Sequence, residues 1–258
     1  MKIIIPSHKR SGKMTTWKNL PEELQAITQV AVYAEEISDY RGYPLMVLPP
    51  GLRGIANKRE YISKNAGSDK VLILDDDLTF AKRRTDEPTK VLPNDPIDTI
   101  NMVAEVKSVL NQVAHGAIAT REGGNRDTDE YKYNTRALRA HFFRTDVLFK
   151  EGVRVNEVQL MEDFHVTLRL LRLGYYNVIL NKWVTNQHGS NTAGGCSETR
   201  TLATHAQAAH ALKELHPEFV SVVKKKTKTA WGGEERTDVV IQWKKAFNSS
   251  MEKKHVKS

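Results

Sequence analysis

Two groups of carboxylates have the residue types and spacing for chemistry. The first is Asp75, Asp76 and Asp77 in "KVLILDDDLTF", three like charges directly after the apolar run Val71 to Leu74. The second is Glu162 and Asp163 in "MEDFHVTLRLLRLGY", where Phe164, Leu168 and Leu171 share one helical face. Adjacent carboxylates repel, and no Lys or Arg lies inside the triplet. A divalent cation makes such a cluster favourable. Hard oxygen ligands select Mg²⁺ or Mn²⁺, which complete their shells with water and substrate phosphate. A solvated acidic turn is the competing reading. The position argues against it, because ligands of open α/β sheets bind beyond the carboxyl ends of the strands. For Glu162 and Asp163 the competitor is helix capping, since a helix N-terminus favours anions. Capping accounts for one carboxylate, and two follow Met161.

Short apolar runs and helical stripes must position these groups. Lys2 to Ile5, Leu45 to Leu48 and Val71 to Leu74 read as strands, and Ile55 to Ala66 reads as a helix. Pro21 to Ala34 has helical spacing, with Leu24, Ile27, Val30 and Ala31 on one face. Asp95 caps a further helix with Pro96 at its first position. Its stripe is Ile97, Ile100, Val103, Leu110 and Val113, and Gly116 is its stop. Farther on, Ala117 to Thr120, His141 to Arg144 and Tyr176 to Leu180 are strand candidates, and Asp163 to Leu173 is a helix ended by Gly174. The stretches from Arg121 to Asn134 and around "NQHGSNTAGGCSET" read as loops. Thr199 to Leu215 is an alanine-rich helix. Strands separated by helices predict an α/β mixed sheet whose first strands are parallel.

The 258-residue chain can bury a substantial core, and its 40% hydrophobic and 27% charged residues suit a soluble globular protein. No apolar run approaches the roughly 20 residues of a membrane span. The apolar run in "MKIIIPSHKR" is too short for a signal-peptide core. Cys196 is the only cysteine, which excludes a disulfide framework and a thiolate zinc site and makes the cytoplasm the simplest setting. The net charge of +8 suggests an anionic partner. Lysines crowd the chain after Pro217 and interleave with Trp231 and Trp243. The organisation expected is therefore a domain over residues 1–216 with a basic segment over 217–258 packed on it. Lys224, Lys225 and Lys226 supply phosphate attraction and Trp243 a ring for base stacking, while a solvated tail with docked tryptophans is the plain alternative.

The ordered set "IIIPSHKR", "GIANKREYISKNAGSDKVLILDDDL", "HFFRTDVLF" and "MEDFHVTLRLLRLGY" resembles the metal-dependent GT-A glycosyltransferases. In detail it is most similar to the phage TET-associated glycosyltransferases, which modify hydroxymethylated pyrimidines in DNA. That resemblance implies roles. Asp77 binds the metal, Mn²⁺ or Mg²⁺, that bridges the donor diphosphate. Asp75 lies near the ribose or on the metal through water, and Asp76 is left ambiguous by the triplet. Pro6, Ser7 and Arg10 cradle the nucleotide, Arg59 meets the diphosphate, and His188 supplies a further metal ligand. Asp163 is the acceptor base of an inverting enzyme, with Glu162 orienting the acceptor; a retaining enzyme needs no such base. The donor implied is a nucleotide sugar such as a UDP-sugar, and the acceptor is DNA. Competing readings are a nucleotidyltransferase, a glycan- or protein-directed glycosyltransferase, and a DNA-binding module without catalysis.

Overall fold

The computed structural model describes residues 1–121, 128–187, 200–226 and 233–255, with side chains to residue 252. One side of its sheet is built from parallel strands β1 (Lys2–Pro6), β2 (Thr28–Tyr33), β3 (Leu45–Leu48) and β4 (Lys70–Leu74). Two short helices, α1 (Thr15–Lys18) and α2 (Glu22–Gln25), lead from β1 to β2, and α3 (Ile55–Asn65) crosses from β3 to β4. Ile3 and Ile5 of β1 pack to one face of the sheet, where α4 (Pro96–Val109) adds Met102, Val103 and Val106. Ile4 packs to the other face with Ile62 of α3. This is the period-two alternation of a strand covered on both sides.

Beyond β4 the sheet becomes mixed. Strands β5 (Leu78–Arg83), β6 (Val91–Pro93), β7 (His115–Thr120), β8 (Tyr131–Tyr133), β9 (Ala140–Arg144) and β10 (Asn177–Gln187) complete the order β3-β2-β1-β4-β9-β7-β10-β5-β6, with β8 on β10. β9 is antiparallel to β4, and β10 is parallel to β7. Helix α5 (Thr145–Lys150) follows β9.

Several elements differ from the sequence expectation. The stretch from Pro21 to Ala34 is a four-residue helix and then β2. "TQVAVY" is buried along its length between β1 and β3, so its apolar residues fall on both faces and mimic a helical stripe. Helix α4 has the expected cap, with Asp95 and Asp98 forming a capping box, but Ile97 is exposed and the helix ends at Val109. Gly116 lies inside β7 instead of stopping α4. It answers to a close approach, because a Cβ there would stand 2.2 Å from the Val178 carbonyl oxygen and 2.5 Å from the Phe142 ring. Gly116→Ala should therefore lower stability by roughly 1–3 kcal/mol through overpacking, measurable by denaturant unfolding. Strand β6 is only three residues long and β5 ends in Lys82 and Arg83, so neither stands out as a strand, and β8 falls in the expected loop.

Helix α6 (Glu162–Arg172) joins two cores. Val166 and Leu170 pack with Ile62, Ile73 and Phe143 beneath the sheet. Phe164, Leu168 and Leu171 pack instead on α7 (Leu202–Leu215), the antiparallel hairpin β11 (Val220–Lys226) and β12 (Glu235–Ile241), and α8 (Trp243–His255). Phe219, Val220, Val239 and Ala246 are buried in that cluster, so the lysine-rich segment shares a core with α6 and α7. Among the described residues no helix is long and apolar enough to cross a membrane.

Candidate active site

Register alone brings the first loop to the aspartates. Lys2, Ile3 and Ile4 pair with Val71, Leu72 and Ile73, and the same offset continued past the strand ends sets Ser7 beside Asp76. Ser7 Oγ donates to Asp76 Oδ2 at 2.6 Å, and Arg10 Nη1 lies 2.9 Å from both Asp76 Oδ1 and Asp77 Oδ2. Asp76 is only 4% exposed, and both its oxygens are engaged inward. Ser7 is also buried, with its hydroxyl shared between Asp76 and the Tyr40 hydroxyl. These contacts hold the loop, and Pro6, Ser7, Arg10 and Asp76 all line the cleft. Asp76→Ala should strip buried hydrogen bonds from Ser7 and Arg10, which keeps Asp77, and cost roughly 1–3 kcal/mol of stability. A shifted denaturation midpoint checks this; weaker nucleotide binding at full stability would place Asp76 in the donor site.

The outer aspartates stay available. Asp77 Oδ2 accepts from Arg10 and from Gln187 Nε2 at 2.7 Å, while its buried Oδ1 accepts nothing among the described residues. Asp75 Oδ1 accepts from Arg59 Nη2 at 2.8 Å. Arg59 extends from α3, and its Nη1 donates to Glu162 Oε1 at 2.6 Å, so one guanidinium ties the triplet to the second carboxylate pair. Burial pushes Asp75 up to about 6, helped by Asp77 and Asp76 and opposed by Arg59. Burial also raises Asp76 and Glu162, the latter against the pull of Arg59. The triplet and Glu162 crowd their carboxyl groups around the guanidiniums of Arg10 and Arg59, and this crowding and the orphaned Asp77 Oδ1 fit a divalent cation. Among the described residues no three His, Cys, Asp or Glu side chains form a metal cluster. A cation here would rest on Asp77 and Asp75 and draw its other ligands from water and phosphate.

At the start of α6 the two acids separate. Met161, at φ 65°, turns the chain sharply into the helix. Glu162 faces inward, 4% exposed, against Arg59. Asp163 opens onto the cleft, and its Oδ1 accepts from the Phe164 backbone N–H at 3.0 Å. The cleft, about 790 Å³, joins Pro6, the triplet and Asp163 to the C-terminal hairpin. Strand alternation divides the lysines expected to act together. Lys225 lines the cleft and pairs with Asp238 at 3.3 Å, whereas Lys224 donates to Thr237 Oγ1 and, like Lys226, is not among the cleft residues. Trp243 lines the cleft edge-on to Phe164. Gln187, Arg136, Arg200 and Arg236 also line it and were not singled out from the sequence; only Gln187 had a signal, its place beside His188. His188 itself lies outside the described residues, as do Trp231 and Cys196.

The model of the family described as TET-Associated Glycosyltransferase matches residues 1–195. The chain belongs to that family. It is a glycosyltransferase. Among curated proteins, this TET-associated glycosyltransferase is similar to the beta-glucosyl-HMC-alpha-glucosyl-transferases of Enterobacteria phages T6 and T2. Each is 22% identical, and each alignment covers 84% of this chain and 82% of the phage protein. Its fold is GT-A. The mannosyltransferase PcManGT from Pyrobaculum calidifontis, solved with GDP-Man and Mn²⁺, superposes with TM-score 0.52 at 14% identity over 83% of this chain and 62% of its own. GalNAc-T7, solved with UDP, GalNAc and Mn²⁺, gives 0.51 at 11% identity over 81% and 47%.

Proposed function

We propose that the chain transfers a sugar from a nucleotide sugar, a UDP-sugar in the first instance, to a hydroxymethylpyrimidine in DNA. The observation that carries this reading is a single cleft that holds an acidic end at β4, a second carboxylate at α6 and a basic wall from the hairpin. Asp77 and Asp75 would hold Mn²⁺ or Mg²⁺, which when bound neutralises charge on the diphosphate leaving group. Arg10 and Arg59 hold those aspartates in place and keep positive charge beside the phosphates. Asp163 takes the proton of the acceptor hydroxyl as that oxygen attacks the anomeric carbon, while Glu162, fixed by Arg59, orients the acid end of α6. The phage relatives support a DNA-base acceptor. Their name also favours a second reading, in which the hydroxyl belongs to a sugar already on the base.

Labelled sugar offered from a panel of nucleotide sugars, with Mn²⁺, to hydroxymethylated, hexosylated and unmodified DNA tests the proposal. Label on the hydroxymethylated DNA supports it, and label on hexosylated DNA alone selects the second reading. Label on neither, with transfer to an uncharged glycan, would refute both.

A further inference from the structure

The cleft has ends of opposite sign, and its basic end does not come only from the lysine-rich segment. Arg136 precedes β9 and Arg200 precedes α7, while Lys225 and Arg236 come from the hairpin. The carboxylates at that end are Asp163 and Asp238. Asp238 accepts from Arg236 at 2.8 Å and lies 3.3 Å from Lys225, so one carboxylate serves two cations. Arg136 and Arg200 have no ion pair among the described residues, and both are exposed to the cleft. Arg136 is nevertheless held: its guanidinium stacks 4.8 Å from the centre of the Phe164 ring. Phe164 is in turn fixed edge-on by Trp243, 5.7 Å away at 77°. A cation docked on an aromatic face keeps its fork of donors pre-organised, and that fork matches phosphate oxygens.

An uncharged sugar or peptide hydroxyl would gain nothing from this surplus beside Asp163. A phosphodiester would. We propose that Arg136, seated on Phe164, and Arg200, which lines the same end of the cleft with Lys225 and Arg236, form a clamp for an acceptor phosphate next to the reacting hydroxyl. The enzyme then selects a nucleotide unit within a strand over the same unit without phosphate. The proposal rests on the DNA reading above and assigns its specificity to arginines outside the lysine run. The donor diphosphate is the other source of phosphate in this cleft, so donor and acceptor must be tested apart.

The test uses Arg136→Gln, Arg200→Gln and the double variant, titrated with a fluorescent hydroxymethylated oligonucleotide at several salt concentrations and separately with UDP and Mn²⁺. Transfer to the oligonucleotide is compared with transfer to the free hydroxymethyl deoxynucleoside. Each substitution should weaken oligonucleotide binding roughly tenfold, the scale of one hydrogen bond to a charged group. The salt slope should fall by roughly 0.9 for each phosphate no longer neutralised on duplex, and by about 0.7 on single strands. UDP affinity and the KM for the free nucleoside should be unchanged. Weakened UDP binding with unaltered oligonucleotide binding would overturn the proposal and give these arginines to the donor. Unaltered salt dependence in variants of a parent that modifies DNA would overturn the clamp alone. A parent that transfers only to an uncharged glycan would remove the DNA reading and the clamp together.

Discussion

Asp77→Asn is expected to abolish the strengthening of UDP binding by Mn²⁺ and to lower the transfer rate by about 10²–10³-fold, the scale of removing one electrostatic stabiliser of a leaving group. The amide keeps an oxygen for Arg10 and Gln187, so the loop should stay folded while the charge is lost. Calorimetry of UDP with and without Mn²⁺ measures this directly. Equal metal-independent affinity in parent and variant would sink the metal bridge. The same site carries a pH signature. Asp75 is raised to about 6, above its ordinary value of 3.8, chiefly by burial. The stability it contributes without metal is present below the ordinary value and is lost as pH rises through about 6. Metal binding requires the ionised carboxylate and should tighten over that same window, releasing protons.

Asp163→Asn should leave donor and DNA affinity near the parent values and reduce kcat by about 10²–10⁴-fold, the range for a general base. The substitution is structurally mild, because Asn retains an oxygen to accept from the Phe164 N–H and so preserves the first turn of α6. Glu162→Gln is a different perturbation. It removes the charge paired with Arg59 at 2.6 Å and should disturb both carboxylate groups. An Asp163→Asn enzyme that keeps most of its rate would move the base to Glu162 or make the reaction retaining.

The frame of the site was legible from local signals. The apolar runs ending in Pro6 and Asp75 are β1 and β4, and the stripe after Asp163 is α6. The Asp95 cap and Pro96 also marked α4 correctly. Long-range pairing decided what local pattern could not. That Asp76 turns inward depends on the register of β1 against β4, and that Arg59 spans both acid groups depends on α3 and α6 meeting across 103 residues of chain. The lysine run looked like one patch because sequence adjacency hides the alternation of a strand. Arg136 and Arg200 carried no motif; only their convergence on Asp163 gives them meaning.

Nucleoside mass spectrometry of hydroxymethylated DNA after incubation with the nucleotide sugar and Mn²⁺ shows whether the enzyme places a sugar on the base. The expected result is a hydroxymethylpyrimidine nucleoside heavier by one sugar, with one nucleoside diphosphate released per transfer, and product formed about 10²–10³-fold more slowly by Asp77→Asn. Unchanged nucleosides across the donor panel, or pyrophosphate release with no sugar on the DNA, would contradict it.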